Sequence, residues 1–180
     1  MFIQTEITPN PNSLKFFPGK KVSNDTPLEI KDKKMTDNEL VRNILSINGV
    51  TGVFLADDFL SVNKEQNIEW EDLKHIVISL INDFYSNGAE LIIDKNNLEE
   101  KTKNFTEIEK KIINILDTKV RPAVARDGGD IKFKEFKNGV VTVNLQGSCS
   151  GCPSSTMTLK QGVQNLLCHY IPEIKEVIAV

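Results

Sequence analysis

The chain has 180 residues, of which 26% are charged and 39% hydrophobic, with a net charge of −3 at pH 7. This is a globular composition with room for one medium domain or two small ones. A mildly acidic chain lacks the basic footprint that a phosphate backbone attracts, which argues against nucleic acid as a partner. No stretch approaches the roughly 20 apolar residues of a membrane span.

In chain order, Phe2–Thr5 and Leu14–Phe17 are short apolar runs that predict strands, separated by the turn formers Pro9-Asn10-Pro11-Asn12. Thr36 with Glu39 has the spacing of a capping box, and Met35 with Leu40 that of a hydrophobic staple. The helix they predict carries Leu40, Val41, Ile44 and Leu45 and stops at Asn48-Gly49. Val53–Leu55 and Phe59–Val62 predict two strands around an Ala56-Asp57-Asp58 turn. A long helix follows, with Trp70, Leu73, Val77, Leu80, Ile81 and Phe84 on one face, ending at Asn87-Gly88. Leu91–Ile93 predicts a last strand. From Asp94 to Asn104 the chain turns polar and loses any apolar period, as a linker does.

Beyond the linker, Thr106 and Glu109 form a second capping-box signature. The helix through Ile108, Ile112, Ile115 and Leu116 is expected to stop near Arg121-Pro122, because a residue preceding proline avoids the helical region. Asp127-Gly128-Gly129-Asp130 predicts a turn. Ile131–Phe136 and Val140–Leu145 alternate across Asn138-Gly139, a strong hairpin signal. A final helix from Ser154 or Ser155 carries Leu159, Val163, Leu166, Leu167 and Tyr170 on one stripe. Pro172 ends it, and Val177–Val180 closes as a strand. The expected fold class is α+β. It comprises a mixed domain over 1–93, a linker over 94–104 and an α-β-β-α-β domain over 105–180.

Three cysteines are too few for a disulfide framework and suggest a reducing compartment. Cys149 and Cys152 stand in the loop Gly147-Ser148-Cys149-Ser150-Gly151-Cys152-Pro153, between a strand and a helix N-terminus. That spacing lets two sulfurs point the same way. Unpaired N–H groups at the helix start favour thiolate, and Gly147 and Gly151 allow close backbone approach. A Cys-x-x-Cys pair of this kind can be a dithiol redox pair, half of a zinc site, half of an iron–sulfur site, or incidental. A closed zinc site or a cluster needs four ligands. From Ser155 to Cys168 a helix rises about 20 Å, so Cys168 and His169 cannot complete a set whose bonds are about 2.0–2.3 Å. The site is half built within one chain, and a second copy across a two-fold axis is the most economical donor of the missing pair.

The segment Arg121-Pro122-Ala123-Val124-Ala125-Arg126-Asp127-Gly128-Gly129-Asp130-Ile131 resembles the C-terminal domain of NifU-like (Nfu-type) iron–sulfur scaffold proteins. So does Gly147-Ser148-Cys149-Ser150-Gly151-Cys152-Pro153-Ser154-Ser155-Thr156-Met157-Thr158-Leu159-Lys160. The N-terminal run Phe2–Glu6 with Thr8–Phe16, and Gly49-Val50, Val53-Phe54, Asp58-Phe59, Val62, Lys64 and Trp70, look like that family's N-terminal domain. Where members often carry a Ser-Pro-Leu-Ala-like run, this chain has Met35-Thr36-Asp37-Asn38-Glu39-Leu40.

The resemblance implies a non-enzymatic scaffold or carrier of an iron–sulfur cluster, commonly [4Fe–4S], shared between two subunits. Cys149 and Cys152 would be its ligand pair. Partners would be a second copy on cluster binding, apo iron–sulfur proteins and upstream scaffolds, with the N-terminal domain recognising them. The alternatives on the same residues are a dithiol–disulfide oxidoreductase and a zinc-bridged interaction module. With Met1-Phe2-Ile3-Gln4 leading directly into a strand, the expected compartment is the bacterial cytoplasm, or the mitochondrial matrix for an organellar homologue.

Other candidates have plainer expectations. Cys168 should be an ordinary, partly exposed cysteine. His75 should be solvated and His169 a helix-end residue. Trp70 should belong to the core, and Asp57-Asp58 to a hairpin turn.

Overall fold

A computed structural model describes residues 2–23, 27–91, 104–151 and 153–180, the last stretch without the side chains of 153–155. The chain divides into two compact units, Met1–Asn97 and Leu98–Val180. The predicted linker falls outside the described residues except for Asn104. The predicted strand Leu91–Ile93 falls outside beyond Leu91, which is buried but lies in no strand.

The first unit is an antiparallel sheet in the order β1-β2-β5-β4-β3. Its strands are β1 (Gln4–Ile7), β2 (Ser13–Phe17), β3 (Leu28–Ile30), β4 (Val50–Leu55) and β5 (Leu60–Lys64). Period-two alternation puts Leu14, Phe16, Val53, Leu55, Leu60 and Val62 on one face. There they pack with residues of α1 (Glu39–Leu45) and α2 (Trp70–Ser86). The indole N–H of Trp70 donates to the Pro11 carbonyl at 2.9 Å, and its ring meets Phe16 edge-on. Trp70 is therefore a packing residue, as expected.

Two local expectations fail here. The cap of α1 is Asn38, whose side chain accepts from Val41 N at 3.1 Å. Thr36 instead accepts from Asn38 N at 3.1 Å and ends a 3-10 turn over Lys33–Met35. That turn leaves Met35 66% exposed, so no staple closes. In α2 Leu73, Val77 and Ile81 are buried and Trp70, Leu80 and Phe84 pack against the core partly buried, as predicted, and Tyr85 joins them. Strand β3, not among the expected elements, has three residues, too few to show a period.

The second unit opens with α3 (Glu107–Ile115), where the predicted capping box forms: Glu109 N donates to Thr106 Oγ1 and Thr106 N to Glu109 Oε2. The helix does not end at Arg121-Pro122. A π turn over Leu116–Val120 passes the chain into α4 (Arg121–Arg126), which starts with proline in its first turn. Arg121 N bonds back to Leu116 O of the π turn, and proline at the next position removes none of the i→i−4 bonds internal to α4.

Strand β6 (Gly129–Lys137) pairs antiparallel with β7 (Val140–Gly147) through the predicted Asn138-Gly139 turn, both residues at positive φ. Helix α5 (Pro153–Tyr170) then crosses over to β8 (Glu176–Ala179), which lies parallel to β7. A parallel partner demands such a crossover, and it brings the β7–α5 loop to the end of the sheet. Ile112, Leu116, Val124, Ile131, Val141, Val143, Val163, Leu167 and Val177 fill the core. Tyr170 is 49% exposed with Lys119 over its ring, and Ile171 is buried in the stripe position predicted for it.

Candidate functional site

The β7–α5 loop is built on two glycine-bearing segments. Asp127 caps α4 and Gly128 turns the chain at φ +80°, a left-handed value that favours glycine. Gly129 then enters β6 opposite Gly147, the last residue of β7, itself at φ +65°. Gly129 has no positive φ, and its need for a bare backbone is steric. A Cβ there would collide with the Cys149 sulfur and stand 2.8 Å from Gln146 O and 3.0 Å from Cys149 N. The second glycine of the Gly-Gly pair is thus the floor on which Cys149 rests.

Hydrogen bonds tie this loop down from several sides. Ser148 N donates to Gly128 O at 3.1 Å, and the Ser148 hydroxyl donates to Asp127 O. Ser150 N and Oγ both donate to Gly147 O, at 3.1 and 2.9 Å. From the first turn of α5, Thr156 Oγ1 donates to Cys149 O at 3.1 Å. Beneath the turn, Arg121 forks onto Asp130: Nε to Oδ1 at 2.8 Å and Nη2 to Oδ2 at 3.1 Å. Its Nη1 reaches Asp117 at 3.1 Å. The Asp130 side chain is 3% exposed, so the carboxylate is buried against its partner. Hydrogen bonds to Asp130 raise the Arg121 pKa above its ordinary value against the opposing effect of burial.

Sequence reasoning placed Asp127–Asp130 in a turn but missed the Arg121 fork, Ser148 and Thr156. Arg121 and Asp130 lie on different elements, and no spacing rule links them.

Cys149 itself is 6% exposed and packs in the unit's core. Cys152 lies outside the described residues. Cys168 is half-buried, its thiol donating to Ile174 O at 3.3 Å. From Thr156 to Cys168 the helix rises about 18 Å, which keeps that thiol away from the loop. His169 stands exposed beside Tyr170, and His75 is exposed on α2. Among the described residues no three His, Cys, Asp or Glu side chains gather as a metal site. Cysteine sulfur is the donor type that suits a soft metal or a cluster.

The chain is thus a two-module α+β protein, one unit a sheet with two helices and the other a sheet whose cysteine loop runs from β7 to α5. The family description "NifU-like domain" matches residues 112–178, and "Scaffold protein Nfu/NifU N terminal" matches residues 3–88. NifU-like protein 4, mitochondrial, of Arabidopsis thaliana is 40% identical over 184 residues, covering 98% of this chain and 65% of that protein. The NFU1 iron-sulfur cluster scaffold homolog, mitochondrial, of Homo sapiens is 42% identical over 180 residues, covering 98% and 71%. The chain thus spans about two thirds of the length of these relatives. The solution structure of a NifU-like protein from Saccharomyces cerevisiae aligns with 53% of this chain and 87% of its own at 27% identity and a TM-score of 0.48. The chain belongs to the Nfu-type family of NifU-like proteins.

Proposed function

We propose that this protein is a non-enzymatic carrier that holds an iron–sulfur cluster, [4Fe–4S], as cargo through Cys149 and Cys152 and passes it to apo-proteins. The observation that carries the reading is the seat of Cys149: a thiol held between a strand and a helix start, on a glycine floor. No further ligand cluster lies among the described residues. Family membership supports it, as does the name of the human relative, an iron-sulfur cluster scaffold homolog. Both relatives are named mitochondrial, which supports the organellar alternative for the compartment.

The chain's part in the exchange is to present two thiolates and to let them go. A second copy supplies the other two, so the cargo sits at a separable interface. Incoming cysteines of an acceptor can then replace the outgoing ones. Cys149 is buried in the structure, so loading draws its sulfur out of the core, and release lets it return. The N-terminal unit recognises acceptors and upstream scaffolds.

Anaerobic reconstitution with ferrous iron and sulfide tests this. We expect about one cluster per two chains, since four thiolates are needed. Cys149→Ser and Cys152→Ser should each abolish uptake, and Cys168→Ser should retain it. A cluster retained in full without Cys149 would refute the assignment. Metal analysis of oxygen-protected protein separates iron and sulfide from zinc or from a metal-free dithiol.

A further inference from the structure

Helix α5 has 18 residues and one side chain of fixed charge, Lys160, although 26% of the whole chain is charged. That lysine turns away to Glu176 of β8, at 3.8 Å. Six of its exposed positions, Met157, Thr158, Gln161, Gly162, Asn165 and His169, fall within an arc of about 140° at 100° per residue, and the seventh, Tyr170, lies outside it under Lys119. Met157 is 72% exposed, and a Cβ at Gly162 would meet nothing within 4 Å. Gln161 and Asn165 spend their side chains on each other at 3.1 Å. The contrast with the other helices is sharp: Glu71, Asp72, Lys74 and Asp83 mark α2, and Glu107, Glu109, Lys110 and Lys111 mark α3. A solvated helix has no physical reason to avoid charge. A helix face that meets its own copy does, because near a two-fold axis every charge faces its own sign.

We infer that this uncharged face of α5 is where a second copy of the chain seats when the cluster is bound. The inference rests on the reading of Cys149 and Cys152 as a shared ligand pair. The cysteine loop runs straight into α5, so two loops brought together carry the first turns of both helices with them. An acceptor held by complementary charge would instead call for a charged patch. The face is also small. Three to four helical turns fall well short of the roughly 800 Å² per partner of a stable interface. The pair of α5 faces therefore closes only while the cargo bridges the loops, which lets the assembly separate after delivery.

The test uses the full chain with Thr158→Glu/Gln161→Glu as an acidic variant and Thr158→Lys/Gln161→Lys as a basic one. Both positions are exposed, so circular dichroism and Tm of the apo forms should stay near wild type. After anaerobic reconstitution with ferrous iron and sulfide, each variant alone should form at least about tenfold less cluster-bound dimer by size-exclusion chromatography. An equal mixture of the two should restore it as a mixed dimer, and added salt should weaken that rescue. If both variants dimerise and load like wild type, α5 is not the seat and the inference falls, while the ligand assignment stands. The same holds if they load normally but fail only in delivery, which would give the face to the acceptor. If wild type itself takes up no cluster, or saturates as a monomer, the ligand reading fails before this one is reached.

Discussion

Replacing Gly129 with alanine isolates one contact of the candidate site. Backbone strain does not enter, because Gly129 is absent from the positive-φ positions. The new methyl must fit where the Cys149 sulfur and Gln146 O at 2.8 Å already stand, with Cys149 N at 3.0 Å. Two of these atoms are backbone, so rotating a side chain cannot make room. Either the Gly129–Gly147 end of the β6–β7 ladder opens or the cysteine loop moves. Overpacking of this kind costs about 1–3 kcal/mol. For a unit of this size each kcal/mol shifts Tm by roughly 4–8 °C. The C-terminal unit should therefore melt roughly 5–20 °C lower by calorimetry, and Cys149 should be alkylated faster than in wild type, read by peptide mass spectrometry. Gly162→Ala provides the contrast, since that position is open and helical. There alanine should stabilise by about 0.5–1 kcal/mol. An unchanged Tm together with an unchanged Cys149 alkylation rate in Gly129→Ala would overturn the account of the floor.

Arg121→Gln should strand the Asp130 carboxylate, whose side chain is 3% exposed. Removing one partner of a buried pair costs about 3–5 kcal/mol, less here because Arg121 is partly exposed. Urea unfolding should show that loss, with Arg121→Gln/Asp130→Asn recovering part of it. In the N-terminal unit, Tyr85 is 5% exposed, its hydroxyl has no hydrogen-bond partner among the described residues, and burial pushes its pKa from 10 to about 12. Between those values the folded state keeps the proton and the unfolded chain releases it. Stability should therefore fall as pH rises from 10 towards 12, by on the order of 2 kcal/mol. Tyr85→Phe should remove that slope and be neutral or slightly stabilising at pH 7, since no hydrogen bond is lost. Equal slopes in the two proteins under chemical denaturation would count against the buried hydroxyl.

How much was legible beforehand varies with the range of the signal. The α+β class, the Asn138-Gly139 hairpin, the Thr106–Glu109 box and the strand–cysteine loop–helix order all rest on residues within a few positions of one another. Those are the distances over which turn chemistry and periodicity act. The Arg121–Asp130 fork and the Thr156 bond to Cys149 join separate elements, so only the folded chain brings them together.

A second kind of failure has a different cause. Thr36 and Pro122 take another of their permitted roles than the expected one, and Gly129, expected only as part of a turn, takes a role that its spacing does not specify. Thr36 can cap a helix or close a turn, and a better-placed Asn38 took the helix. Pro122 can end a helix or begin one, and the π turn before it allowed a beginning. Gly129 can supply positive φ or empty space, and Gly128 had already supplied the φ. In each case a neighbouring residue met the first demand and released the second residue for another. The local rule is thus sound for the pair but underdetermined for its members. For Gly128-Gly129 this has a chemical consequence. Gly128 holds the turn and Gly129 is the one that touches the candidate ligand, so replacing Gly128 should strain the turn, whereas replacing Gly129 should act on the thiol.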